Sequence, residues 1–280
     1  MHPPRRHGRL DRKARMRKEH YDLMYAQETD FWWFAGMRMV MGEILKKHLQ
    51  NGPKRTLDVG CGTGINLLWM ASFFRPESIT GCDYSRAAIG WCAEALRSAR
   101  DQDAIRAVQL SRGDARRLPF SEGSFDLVTS FDVLNHFPEG EAVHAMAEIS
   151  RVLRPGGLAI IREPAYQWLL SSHDTIFGTC RRYSAPELER RMTRVGFRIL
   201  ETTYANTVLF PLAAAQRLLR KHAGIASDRT DAHPWPPMLR WLNGPFKACL
   251  GLESRLLARG CRLPFGLSAI CVARKIDSWG

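Results

Sequence analysis

Apolar and polar positions change period several times along this chain. Over residues 21–50 the apolar positions Met37, Val40, Met41, Ile44 and Leu45 fall near helical spacing, behind an aromatic run, Phe31-Trp32-Trp33-Phe34. Short apolar runs then alternate with helical patterns. Runs at 56–59, 78–82, 107–110, 125–130 and 158–162 suit buried strands, and helices are predicted at 65–74, 86–99 and 141–153. Ser85 stands where its hydroxyl can cap the second of these helices. Such alternation predicts parallel strands joined by right-handed crossovers, hence an open doubly wound α/β sheet.

After Pro164 the rhythm changes. Ser184 and Glu187 predict a capping box for a helix that ends near Gly196, and 197–204 has strand character. About sixty residues with little strand pattern follow, and a last strand is predicted at 267–274.

Composition changes the picture mainly through charge. The 280 residues carry a net charge of +13, but residues 21–205 hold twenty-two basic and twenty-two acidic side chains and are neutral. Residues 1–20 contribute +6 and residues 206–267 another +6. Basicity confined to a tail and one late segment argues against a nucleic-acid groove over the central body. Seven scattered cysteines include no C-x-x-C pair, which points to reduced thiols in a cytoplasmic setting. No run approaches the ~18 apolar residues of a membrane span. The basic N-terminus lacks the apolar core of a secretory signal. The nine histidines are dispersed, so no metal site is expected.

The chemistry centres on Leu57-Asp58-Val59-Gly60-Cys61-Gly62-Thr63-Gly64, a strand running through three alternating glycines into a helix. Glycines there let a ligand approach the backbone closely, and the helix start offers unpaired N–H groups. Three carboxylates follow the sheet edge. Asp58 closes the first strand, where it could meet a ligand ammonium. Asp83 ends the second strand, about twenty residues past the turn, where a carboxylate can accept both hydroxyls of a ribose. Asp114 follows the third strand, placed to accept from an exocyclic adenine amine.

In order and spacing, LDVGCGTG, CDYS, GDARRLPF, FDLVTSFDVLNHF and LRPGG resemble the motifs of the class I S-adenosylmethionine-dependent methyltransferases, across residues 56–163. The resemblance implies a Rossmann-like, seven-stranded sheet, mostly parallel with an antiparallel last strand, and S-adenosyl-L-methionine as cofactor. It implies that Gly60, Cys61, Gly62 and Gly64 border the methionine part and that Asp83 holds the ribose. Tyr84 would lie against the adenine face, Asp114 and Ala115 at its edge, and Phe131 on the floor near the sulfonium, with Ser85 also among the cofactor-binding residues. A nicotinamide dehydrogenase would need G-x-G-x-x-G, whereas here the third glycine arrives one residue early.

A narrower resemblance lies in DFWWFAGMR, HDTIFGTCRRYS and LPFGLSAICVARK, which are similar to a bacterial subgroup of methyltransferase type 11-like proteins often associated with polysaccharide or secondary-metabolite pathways. Relatives place a histidine where this chain has Thr179, so that residue's role does not carry over.

These readings divide the chain into a basic tail (1–20), a helical cap (21–50), a cofactor-binding core (54–164), an acceptor-side segment (165–205), a helical insertion (206–267) and a last strand (268–276). The aromatic run is expected to act as a lid, with Trp33 against the cofactor and Arg38 paired with its carboxylate. His136 is one candidate general base; His173 and Asp174, beside Arg181, Arg182 and Tyr183, are a second group able to orient an anionic acceptor. In the insertion, Leu212, Ala215 and Leu219 share one face, and Leu252, Leu256 and Leu257 oppose Glu253, Arg255 and Arg259. That pattern fits either a helix lying on an anionic membrane or a lid packed over an acceptor pocket. The expected activity is methyl transfer to a small-molecule or lipid-linked acceptor, at oxygen. The alternatives are an RNA or protein methyltransferase using the tail, and a non-catalytic cofactor-binding relative.

Overall fold

The structure, a computed structural model, describes residues 25, 28, 31–49, 52–171, 174, 177–222 and 241–276. Seven strands form one sheet: β1 (Arg55–Val59), β2 (Ser78–Asp83), β3 (Val108–Arg112), β4 (Phe125–Phe131), β5 (Leu153–Pro164), β6 (Phe197–Ala205) and β7 (Ser268–Lys275). Their order is β3-β2-β1-β4-β5-β7-β6. The first five are mutually parallel, and β7 lies antiparallel between β5 and β6. The order reverses between β1 and β4, so their carboxyl ends open the crevice where ligands of such sheets bind.

Two strands depart from their predicted bounds by more than one residue at an end. β3 starts one residue later than expected and ends two later. β5 begins at Leu153, which pairs with Phe125 across a register shift before the main ladder starts at Leu158. The Arg154-Pro155-Gly156-Gly157 stretch therefore belongs to the strand.

Helices cover both faces. One face packs α1 (Trp32–His48) against the sheet through Met37, Val40, Met41, Ile44 and Leu45, which meet Leu127, Leu158, Ile160, Ile270 and Val272. A further cluster joins α2 (Ile65–Phe74) to α3 (Arg86–Arg97) through Leu67, Met70 and Cys92; the four-residue α4 (Gln102–Ile105) adds Ala104. The opposite face carries α5 (Glu139–Val152) and α6 (Ala185–Arg194), with Met146, Ile149, Leu188 and Met192 buried. Ser85 and Ser184 cap α3 and α6 as predicted, each hydroxyl accepting from the N–H three residues on. Glu187, however, does not reach back to complete a capping box. Its carboxylate is taken by Arg181 and Arg191.

The insertion supplies α7 (Phe210–His222) and α8 (Asn243–Ala258). They behave differently. α8 packs on α1, burying Leu250 and Leu257 in the α1 cluster. Truncating a buried leucine of this kind costs about 2–5 kcal/mol. The polarity expected for α8 is corrected here: Leu252 points outward and Glu253 is buried. Glu253 accepts from the N–H groups of Asn206, Thr207 and Val208, so a polar side chain inside the helix interface holds the exit of β6. Among the described residues, no helix is long and apolar enough to cross a membrane.

Candidate active site

Three glycines with φ of 73°, 55° and 89° turn the chain at the end of β1. A Cβ on Gly60 would meet Val133 at 2.3 Å, and one on Gly64 would meet Cys92 at 2.4 Å. Gly62, by contrast, faces open space. The turn is thus closed on its protein side and open where a ligand would lie.

Asp83 is fixed above it. One carboxylate oxygen accepts from Gly62 N–H at 3.1 Å and the other from Ser85 N–H at 2.8 Å. Burial pushes its pKa up, against the pull of those two amides. Each oxygen keeps a lone pair for a ligand hydroxyl. Asp58 is fully buried, and burial pushes its pKa up to about 7, opposed by the Thr129 hydroxyl at 2.7 Å and by Arg162, and reinforced by Asp83.

Glu28, ahead of α1, reaches the same turn. Glu28 is buried and accepts a hydrogen bond from Thr63, while Arg38 donates to the Glu28 carbonyl at 3.1 Å. Burial raises the Glu28 pKa and lowers that of Arg38. Tyr25 lies against Trp91 of α3 with ring centroids 4.7 Å apart. The second terminal nitrogen of Arg38, Nη1, is buried without a hydrogen-bond partner. A buried donor left in that state costs about 1–3 kcal/mol, so it is poised for an anionic ligand.

Next to it stands Arg162 from the end of β5. Its guanidinium lies 5.1 Å from the Trp33 ring and 5.0 Å from the Phe131 ring, and it donates to Asp132. Asp132 adopts φ 59°, which asparagine and aspartate tolerate better than other side chains. The following turn is held by Glu163, whose buried carboxylate accepts from the N–H groups of Val133, Leu134 and Asn135. Burial raises the Glu163 pKa well above the ordinary range.

His136 ends this turn. Its Nδ1 lies 3.1 Å from the Gly178 carbonyl, which can only accept, so Nδ1 carries the proton and Nε2 the lone pair. Burial lowers its pKa below 6.5, against Gly178 and Asp132, leaving the ring neutral at neutral pH.

Asp58, Gly60, Cys61, Gly62, Gly64, Asp83, Ser85, Trp33, Arg38 and Phe131 therefore gather at the carboxyl edge of the sheet. Tyr84 is exposed beside Asp83, with Arg112 over its ring at 5.9 Å. Ala115 is buried. Asp114 is already engaged: Arg116 grips both of its oxygens, at 2.9 and 2.6 Å, and also reaches Glu141.

The acceptor-side group has a different character. Tyr183 is fully buried, packed under Arg181, with its hydroxyl donating to the Leu134 carbonyl at 3.2 Å. Its position is that of a strut, and burial raises its pKa. Arg181 pairs with Glu187. Asp174 is held by Arg182 at 2.5 Å and Arg217 at 3.0 Å. Burial raises its pKa, but these arginines outweigh that and keep it ionised. His173 lies outside the described residues.

Arg162, Asp132, Glu163, Glu28 and Thr63 were not found by motif reading. One signal was present: Arg162 and Glu163 stand side by side at the end of an apolar strand, where buried charges need partners.

Residues 57–161 match the family model described as "Methyltransferase domain". This stretch is a class I methyltransferase domain, a family whose cofactor is S-adenosylmethionine. Among curated relatives, the chain is 29% identical over 153 residues to the fatty-acid O-methyltransferase of Mycolicibacterium smegmatis, covering 55% of this chain and 47% of that one. It is 30% identical over 177 residues to methyltransferase GfsG of Streptomyces halstedii, covering 60% and 61%. The chain thus spans about half the length of these relatives. In fold it resembles the [4+2]-cyclase SpnF, with a TM-score of 0.55 and 24% identity over 85% of this chain and 80% of that one.

Proposed function

We propose that this protein transfers a methyl group from S-adenosylmethionine to an oxygen of a lipid or natural-product acceptor. The observation that carries this reading is the Asp83 carboxylate, oriented by two backbone amides over an open glycine turn, with the orphaned Arg38 Nη1 nearby. The names of the relatives, among them a fatty-acid O-methyltransferase, support the acceptor class.

The cofactor supplies an electrophilic methyl group on a sulfonium. In this reading Asp83 accepts the ribose hydroxyls, Tyr84 covers the adenine, and Arg38 holds the carboxylate. Asp58 takes the ammonium. Arg162 is stacked between Trp33 and Phe131 and walls the acceptor side. His136 accepts the acceptor's proton at Nε2, a role that contributes about 10²–10⁴-fold in comparable sites.

Incubation with methyl-labelled S-adenosylmethionine and fractionated extract of the source cells tests the reading. Label in the solvent-extractable or small-molecule fraction is expected, and its stability to mild base distinguishes a methyl ether, formed from a hydroxyl whose proton His136 would take, from a methyl ester, formed from a carboxylate that needs no base. Label confined to RNA or protein, or none despite measured cofactor binding, overturns it.

A further inference from the structure

Helix α7 is built inside out. Toward the protein it turns Ala214, which is buried, and Arg217, which donates to the Leu169 carbonyl at 3.1 Å and to Asp174. Toward solvent it turns Leu212 and Leu219, 65% and 70% exposed, with Ala215 between them and Val208, 53% exposed, just before the helix. Positions 208, 212, 215 and 219 recur at helical spacing and form one stripe. A helix that turns Arg217 inward and shows its leucines has the polarity of an element with an apolar environment outside the fold.

Two further exposed rings lie beside the start of α7. Phe210 touches both Trp168 and Phe265, with ring centroids at 6.2 and 5.4 Å, and these two rings are themselves exposed. The exposed charge of the insertion, among its described residues, has one sign. Among the described residues of 206–267 the only carboxylate is Glu253, which is buried, while Lys247, Arg255, Arg259 and Arg262 are exposed. None of these four cations has a carboxylate partner among the described residues.

We propose that α7, with Trp168 and Phe265, docks on an anionic lipid surface. Leucines on one helix face with a tryptophan beside them match the boundary between headgroups and acyl chains, and the exposed cations of the same insertion match acidic headgroups. A second copy of this chain fits poorly, because it would bring one +6 segment against another. The docking does not depend on methyl transfer and needs no cofactor.

The test is co-sedimentation of the full chain with phosphatidylcholine vesicles, with and without phosphatidylglycerol. The variant is Leu212→Gln with Leu219→Gln, which leaves the charge of the N-terminal tail and of the insertion unchanged. Both sites are exposed, so thermal unfolding should match the wild type. The expected result is binding to the anionic vesicles, weakened by salt and reduced roughly a hundredfold in the double variant. Equal binding of both proteins would assign the attraction to the tail and overturn the proposal. So would no sedimentation at low salt. Self-association in analytical ultracentrifugation that the same variant abolishes would give the face to a second copy, and that too would overturn it.

Discussion

Arg162 at the end of β5 donates to Asp132 just past the end of β4, and the guanidinium is clasped between the rings of Trp33 and Phe131. The pair joins three elements, because Trp33 belongs to α1. Breaking a largely buried pair leaves a charge without a partner, whereas replacing both partners removes the problem. Asp132→Asn should therefore cost about 3 kcal/mol of stability, and Arg162→Met with Asp132→Asn distinctly less than the sum of the single changes. Denaturant unfolding of the four proteins of this double-mutant cycle measures the coupling; additive effects would show that the pair stabilises nothing.

Asp58 makes the cofactor-free protein sensitive to pH. Its carboxyl has an ordinary value of 3.8 and titrates at about 7 in the fold. A raised carboxyl favours the folded state fully below 3.8, and that advantage declines as pH rises and is lost above about 7. Asp58→Asn should flatten this slope, so the stability difference between variant and wild type changes by up to about 4 kcal/mol across the window. Urea unfolding at several pH values checks it. Parallel profiles for the two proteins would place the titration elsewhere.

Arg38→Ala should weaken binding of S-adenosylhomocysteine about tenfold to a hundredfold, the worth of a charge-assisted hydrogen bond in a buried site. Calorimetry with the cofactor product, which shares the carboxylate but lacks the sulfonium, isolates this contact. Unchanged affinity would remove Arg38 from the cofactor site.

His136→Asn should lower kcat about 10²–10⁴-fold while leaving the affinity for S-adenosylhomocysteine intact. Because burial lowers the imidazole's pKa, the acid limb of the wild-type rate profile should fall below 6.5. An acid limb above that value would point to another base.

Tyr183→Phe separates a strut from a proton acceptor. Loss of the hydrogen bond to the Leu134 carbonyl should cost about 1 kcal/mol of stability and change kcat only a few-fold. A large loss of kcat at unchanged stability would return the hydroxyl to the chemistry.

What was legible in the sequence was local. A strand, three alternating glycines and a helix announce themselves within ten residues, and Asp58 and Asp83 sit at strand ends that periodicity locates. The partners of those groups come from other strands. Arg162 meets Asp132 only because β5 lies beside β4, and Glu163 caps a turn thirty residues earlier in the chain. Tyr183 looked chemical beside two arginines, yet the fold sends one of them to Glu187 and the other to Asp174. Glu253 defeated the helical pattern for the same reason, since the backbone N–H groups that draw it inward lie some forty-five residues away.

Ala205 and Ser268 are paired in register on β6 and β7, so the two ends of the 206–267 segment leave the sheet side by side. A loop whose ends are clamped together can be lengthened or exchanged at little entropic cost, because closure entropy grows only with the logarithm of its length. The segment is in effect a cassette on a hairpin. Swapping it between relatives should alter what the enzyme docks on or selects, while the cofactor half of the molecule is inherited unchanged.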